Sequence, residues 1–154
     1  MRFVSLFSGV GGFDLGLEKY HECILQVEQD EHCLEVLRRR WPNVPKIEDV
    51  RDVTRKSASD VDMVVGGFPC QDVSLAGNRK GLDGGRSRSG LWFEFHRIIR
   101  ELRPRVAVIE NVPGLFSSNG GRDFATILRG LSELGYMSAW RVLDAQFFGV
   151  PQRR

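Results

Sequence analysis

Cysteine is scarce in this chain of 154 residues, and long apolar runs are missing altogether. The three cysteines are Cys23, Cys33 and Cys70. An odd set without close pairs argues against a disulfide framework and for a reducing, cytoplasmic compartment. His21, His32 and His96 are scattered, with no HxxxH or CxxC spacing, so no metal site is expected. No apolar stretch approaches the roughly 20 residues needed to cross a bilayer, and no membrane association is expected. The start lacks a signal peptide's charged segment, long apolar stretch and small-residue cleavage site. No internal repeat and no linker divides the chain, whose length suits one domain over residues 1–154.

Lysine is the other shortage. Of 22 basic residues only Lys19, Lys46, Lys56 and Lys80 are lysine, and the formal net charge is +2. That near-neutral total hides a division. Residues 1–78 carry 9 basic and 13 acidic side chains, whereas residues 79–154 carry 13 and 7. Guanidinium binds oxyanions as a fork, so an arginine-rich half suits phosphate or base contacts. A solvated surface explains the same charge equally well.

Present throughout is an alternation of apolar runs and helical patterns. Residues 3–7, 23–27, 46–50, 61–66 and 106–109 read as strands, and 136–143 as a possible sixth. Phe13 to Lys19 reads as a short helix. Asp30 is placed to cap a helix whose apolar face is Cys33, Val36, Leu37 and Trp41, stopped by Pro42. Leu91, Phe95, Ile98, Ile99 and Leu102 mark a helical face, as do Phe124, Ile127, Leu128, Leu131 and Leu134 before Gly135. Unbroken apolar strands alternating with helices imply an α/β fold, a doubly wound and mostly parallel sheet covered on both faces.

In such sheets ligands sit beyond the carboxyl ends of the strands. The unusual residues fall there. Gly9, Gly11 and Gly12 follow the first strand, Glu28 the second, Asp49 lies near the third, Cys70 follows the fourth and Glu110 the fifth. The glycine turn lacks a following Lys-Ser/Thr, which excludes the triphosphate-binding loop. Asp14 stands where a dinucleotide fingerprint has its third glycine, and a carboxylate there would repel pyrophosphate. A cofactor with a cationic centre and no phosphate fits better, namely S-adenosylmethionine. Glu28 can accept hydrogen bonds from a ribose diol. Read alone, the turn serves equally as an ordinary strand-to-helix connection, Cys70 as a small buried residue and Glu110 as a surface carboxylate. Read together, a thiol and an acid at the ends of neighbouring strands supply a soft nucleophile and a proton-handling group. Residues 71–90 hold five glycines with Arg79, Lys80, Arg86 and Arg88, a composition that suits a phosphate-attracting lid.

These residues resemble the DNA cytosine-5 methyltransferases, and the matches run in order along nearly the whole chain. Leu6-Phe7-Ser8-Gly9-Val10-Gly11-Gly12-Phe13 resembles the family's cofactor turn. Glu28 matches the ribose-binding acid, and Asp49-Val50 the pair that contacts adenine. Gly67-Phe68-Pro69-Cys70-Gln71, with Ser74 beyond it, resembles the nucleophile motif. Arg88 to Arg97 resembles the helix entry in which Leu91 touches the cofactor. Glu110-Asn111-Val112 resembles the acid motif. Gly149-Val150-Pro151-Gln152-Arg153-Arg154 resembles the start of the arginine motif, with Arg154 counted among the catalytic groups.

The resemblance implies a mechanism. The target cytosine is flipped out of the duplex. Cys70 thiolate attacks C6, Glu110 holds the proton at N3, C5 takes the methyl group, and loss of the C5 proton releases Cys70. Phe7, Gly9, Gly11, Gly12, Glu28, Asp49, Val50, Pro69 and Leu91 are implied for the cofactor. Gln71, Ser74, Arg79, Arg86, Arg88 and Asn111 are implied for duplex DNA. A bacterial or phage-infected cell is the implied setting. The family's variable DNA-reading domain, a last strand between the fifth and sixth, and a late segment of the cofactor pocket have no counterpart here. The expectation is therefore a fold truncated before its last strand. An open edge should favour self-association or a complementing C-terminal polypeptide, and an inactive assembly module is an alternative to an enzyme. A tRNA cytosine methyltransferase is a further alternative, and a nicotinamide dehydrogenase is disfavoured by Asp14.

Overall fold

Residues 1–69 and 91–149 are described by the computed structural model of the chain. Their architecture follows from five short apolar strands, β1 (Arg2–Leu6), β2 (Glu22–Val27), β3 (Lys46–Ile47), β4 (Met63–Gly67) and β5 (Val106–Glu110). They form one sheet in the order β3-β2-β1-β4-β5, with every neighbouring pair parallel. Parallel pairing requires crossovers, and helices supply most of them. Helices α1 (Gly12–Leu17), α2 (Glu31–Arg40) and α3 (Leu91–Leu102) lie on three of the four crossovers, the β3–β4 connection carries a 3-10 turn instead, and α4 (Arg122–Glu133) follows β5. The chain reverses direction across the sheet between β1 and β4, which opens a cleft at their carboxyl ends.

Alternation along each strand sends side chains to two cores. On one face Val4, Leu6, Leu25, Val27 and Val64 meet Trp92, Phe95, Ile98 and Ile99 of α3 and Ile127 and Leu131 of α4. On the other, Phe3, Met63 and Val65 meet Phe13 and Leu17 of α1 and its neighbourhood. The first core is much the larger and is aromatic. Phe68 lies 5.6 Å from Trp92 and 6.1 Å from Phe95, ring centroid to centroid. Burying a side chain such as Phe95 contributes about 1.5–3 kcal/mol. Trp92, 1% exposed, belongs to the buried face of α3 although its spacing did not single it out.

Helix ends follow local chemistry. Asp30 caps α2 as expected, its carboxylate accepting from Cys33 N at 3.0 Å. Arg38, Arg39 and Arg40 occupy the last turn, where they complement the helix dipole. At the end of α4, Gly135 N donates to Ser132 O at 2.9 Å and Tyr136 N to Leu131 O at 3.0 Å, with Gly135 at φ +87°.

Two expectations need correction. The third strand pairs over Lys46–Ile47 only, because Asp49 caps a 3-10 turn, Val50–Asp52, that ends the ladder. Residues 136–143 join no strand ladder among the described residues, so the sixth strand is not formed. Its apolar side chains instead stand largely in solvent, with Met137, Trp140, Val142 and Leu143 at least 59% exposed. Between this segment and β5 lies a groove of about 680 Å³. Among the described residues strand β5 is an edge, and Val106 and Val108, in register with Met63 and Val65, remain 39% and 37% exposed on the α1 side of the sheet. No helix among the described residues is long and apolar enough to cross a membrane.

Candidate active site

The first strand delivers the chain to the cleft through a strained corner. Phe7 adopts φ +53° and its ring stacks on Phe95 with centroids 6.3 Å apart. Gly11 follows at φ +87°, a conformation that a side chain disfavours. A Cβ at Gly11 would also collide with the Trp41 ring, so helix α2 seals the back of the turn. Trp41 is held by Nε1 donating to Glu18 at 2.8 Å and by the Arg40 guanidinium 5.5 Å over its ring. By contrast, Cβ atoms at Gly9 and Gly12 would meet open space within 4 Å. The front of the turn is thus bare backbone, approachable by a ligand.

Glu28, at the end of β2, faces that turn. One carboxylate oxygen accepts from Gly9 N at 2.7 Å, and the other accepts from Gln29 N and Asp30 N, both at 2.8 Å. The acid is therefore fixed in place by three backbone donors while remaining only partly buried. Asp49 accepts from Arg51 N at 2.9 Å and from the Arg51 guanidinium. That side-chain hydrogen bond holds the Asp49 carboxyl below the usual carboxylate range. Val50 beside it is 6% exposed and belongs to the core. Leu91 opens α3 and packs, partly buried, against the same core.

Asp14 does not face the cleft. It is 0% exposed and accepts from Ser5 Oγ at 2.8 Å, Gln26 Nε2 at 2.8 Å and Cys23 Sγ at 3.2 Å. The use of Asp14 to discriminate against pyrophosphate therefore fails on geometry, since its charge is turned into the sheet. Burial, then the Asp14 carboxylate, pushes the Cys23 thiol well above the ordinary thiol range.

On the other side of the cleft, Glu110 and Gly67 are register partners at the ends of β5 and β4. Glu110 is exposed, and its Oε2 occupies the space a Cβ on Gly67 would need. Asn111 Nδ2 donates to Phe68 O at 2.9 Å, while its Oδ1 accepts from Val112 N at 2.9 Å. The turn after β5 is thereby tied to the segment Phe68-Pro69 leading to Cys70. Phe68 is 3% exposed and anchored in the aromatic core, and Pro69 is exposed. Cys70, Gln71, Ser74, Arg79, Arg86, Arg88 and Arg154 lie outside the described residues.

The sequence reading missed what Gly67 does. The available signal was two adjacent glycines inside an apolar strand, which mark a close approach of a neighbour. Here that neighbour is the acid. Among the described residues no three His, Cys, Asp or Glu side chains converge on a metal-sized site.

The comparisons with known proteins agree along the whole chain. Over residues 1–154 the sequence matches the family described as C-5 cytosine-specific DNA methylase. It is 41% identical over 159 residues to Type II methyltransferase M2.BsuMI of Bacillus subtilis strain 168, with 100% of this chain and 40% of that protein covered. It is 37% identical over 155 residues to Type II methyltransferase M.HhaI of Haemophilus parahaemolyticus, with 100% and 46% covered. Among solved structures, the S. pombe Dnmt2 methyltransferase shares the fold, with TM-score 0.74 and 23% identity over 100% of this chain and 48% of its own. The chain spans less than half the length of each of these three proteins. From its glycine turn to its last residues, it belongs to the C-5 cytosine-specific DNA methylase family.

Proposed function

We propose that this chain carries the methyl-donor pocket and the reacting groups of an enzyme that methylates C5 of cytosine in duplex DNA. The observation that carries the reading is the arrangement around the β1–β4 switch point. Bare backbone at Gly9 and Gly12 and the fixed Glu28 carboxylate lie on one side. Glu110, seated over Gly67 and tied through Asn111 to the approach to Cys70, lies on the other.

The residues present fit S-adenosylmethionine. The turn accepts a ligand against its backbone, Glu28 suits a ribose diol, and Asp49-Val50 with Leu91 suit the adenine side. The bound donor supplies the methyl group. The chain's own groups do the rest. Cys70 forms a bond from sulfur to C6 of a cytosine turned out of the duplex. Glu110 shares its proton with N3, which steadies the negative charge that develops in the ring. Once C5 is methylated, a base takes the C5 proton, its bonding pair forms the C5–C6 double bond, and the sulfur–C6 bond breaks to return Cys70 as thiolate. Arg79, Arg86 and Arg88 suit the phosphates of the duplex, Gln71 and Ser74 the base and its surroundings, and Arg154 the cytosine.

Transfer of a tritiated methyl group to duplex DNA tests this, with Cys70→Ala and Glu110→Gln beside the wild type. Loss of transfer in Cys70→Ala is expected. Continued methylation of cytosine by that variant would refute the nucleophile assignment.

One observation favours a second reading, in which these residues act as an assembly module. Among the described residues the β5 edge is open and Val106 and Val108 are partly exposed. Further polypeptide, in the same chain or another, would cover them before chemistry begins. Repeating the transfer assay with a separately supplied C-terminal half separates the two. Activity that appears only on addition supports assembly, and full activity without it refutes assembly.

A further inference from the structure

Strand β3 contributes only two ladder residues, so the sheet does not hold the segment that follows it. Yet that segment carries Asp49 and Val50, the adenine side of the proposed pocket. Its shape is set from elsewhere. Arg97, on α3, reaches across and donates Nη1 to Val53 O at 2.9 Å and Nη2 to Val50 O at 3.2 Å and Arg51 O at 3.4 Å. Val50 O already accepts from Val53 N at 3.3 Å within the turn, and Arg97 adds a second donor to it while also reaching the later carbonyls of Arg51 and Val53. A planar guanidinium presents five donors in a fixed fork, which lets one side chain reach three carbonyls here and two carboxylates behind it, whereas an ammonium offers three donors from a single point.

The fork is itself held from behind. Arg97 Nε donates to Glu94 Oε2 at 2.7 Å and Nη1 to Glu101 Oε2 at 3.1 Å, one turn before and one turn after it on α3. The Arg97 side chain is 21% exposed, so these bonds are partly shielded from water. Val53 is 0% exposed and Val50 6% exposed, so the loop is fixed to α3 by packing on one side and by Arg97 on the other.

We propose that Arg97 is a positioning residue that sets selectivity for adenine in the methyl donor, by fixing Asp49 and Val50 relative to α3. The inference rests on the donor-pocket reading above. It assigns to α3 two duties in that pocket, with Leu91 at its first residue and Arg97 near its middle.

The test is calorimetric titration of the full chain with S-adenosylhomocysteine and with S-inosylhomocysteine, which differs at the purine edge. Wild type, Arg97→Lys, Arg97→Met and Leu131→Ala are compared. Leu131 lies in the α4 core and reports on stability alone. The wild type should prefer the adenine ligand, and that preference should fall about tenfold in Arg97→Met, with a smaller fall in Arg97→Lys, as expected for lost charged hydrogen bonds. Leu131→Ala should keep the wild-type ratio. If the wild type binds and both Arg97 variants keep its ratio, the role of Arg97 is overturned while the pocket stands. If the wild type binds neither ligand, pocket and positioning role fall together. Should Arg97→Met fail to fold, Arg97→Lys decides the matter.

Discussion

At Asp14 a buried carboxylate is satisfied by a hydroxyl, an amide and a thiol, from Ser5, Gln26 and Cys23. None of these hydrogen-bonding partners is a cation, although the Lys46 ammonium interacts with Asp14 electrostatically. Asp14→Ala would leave Ser5 Oγ and Gln26 Nε2 without their acceptor, at a cost of about 1–3 kcal/mol for each stranded group. Urea denaturation should show the loss, and a midpoint unchanged from wild type would contradict it. The same cluster silences Cys23. Its raised titration keeps it as thiol rather than thiolate under mildly alkaline conditions. Iodoacetamide should therefore label Cys23 at least about tenfold more slowly than free glutathione, with the rate still climbing as pH rises. Peptide mass spectrometry reads the rates, and parity with glutathione would count against this. Glu28 and Glu110 were legible in the sequence because each closes an apolar run. The direction of Asp14 was not. It lies on a helix of six residues whose orientation depends on the Gly11 turn and on Trp41, far along the chain.

The elements obeyed their local signals where those signals were self-sufficient. Helix α2 began at Asp30 because the cap chemistry is complete within four residues. The hydrogen bond from Cys33 N holds the Asp30 carboxyl below its ordinary value. A lowered carboxyl contributes stability above the unfolded value of about 3.9 and loses it as pH falls through the folded value. The melting temperature of Asp30→Ala should thus lie furthest below wild type near neutral pH. The two should converge in acid below about pH 4, and a constant gap would exclude the cap as the cause. Residues 136–143 show the other case. Their apolar pattern reports a capacity for burial, but a strand also needs a neighbour to pair with. Strand β5 faces them across the groove, but none of the described strands pairs with them. Likewise 46–50 shortened because Asp49, a residue that competes for local backbone donors, took Arg51 N instead of continuing the ladder.

For the molecule as a whole, the sheet is clothed unevenly. The α3–α4 face is closed by aromatics, while Val106 and Val108 stand open on the other. An edge strand with such a stripe is prone to associate with itself or with added polypeptide. Light scattering of the chain should show mass rising with concentration in the micromolar range, and Val106→Lys with Val108→Lys should abolish the rise. A wild type that stays monomeric throughout would refute this expectation. The fold class was legible because strand and helix signals alternate. The openness of the β5 margin among the described residues was legible only through resemblance, since composition does not report which strands a sheet lacks.

The order β3-β2-β1-β4-β5 has one more consequence. Phe7, Gly9, Glu28, Asp49 and Val50 stand on the β1–β3 wing, Glu110 and Asn111 stand on the β4–β5 wing, and Pro69 and Leu91, also proposed for the donor, follow β4. The seam between the wings is a single ladder of four residue pairs, Phe3 to Leu6 against Met63 to Gly66. Substitutions that retune one wing need not disturb the register of the other. Most of the proposed donor contacts can therefore be inherited intact while the residues proposed for the base change, with Pro69 and Leu91 the contacts that bridge the seam.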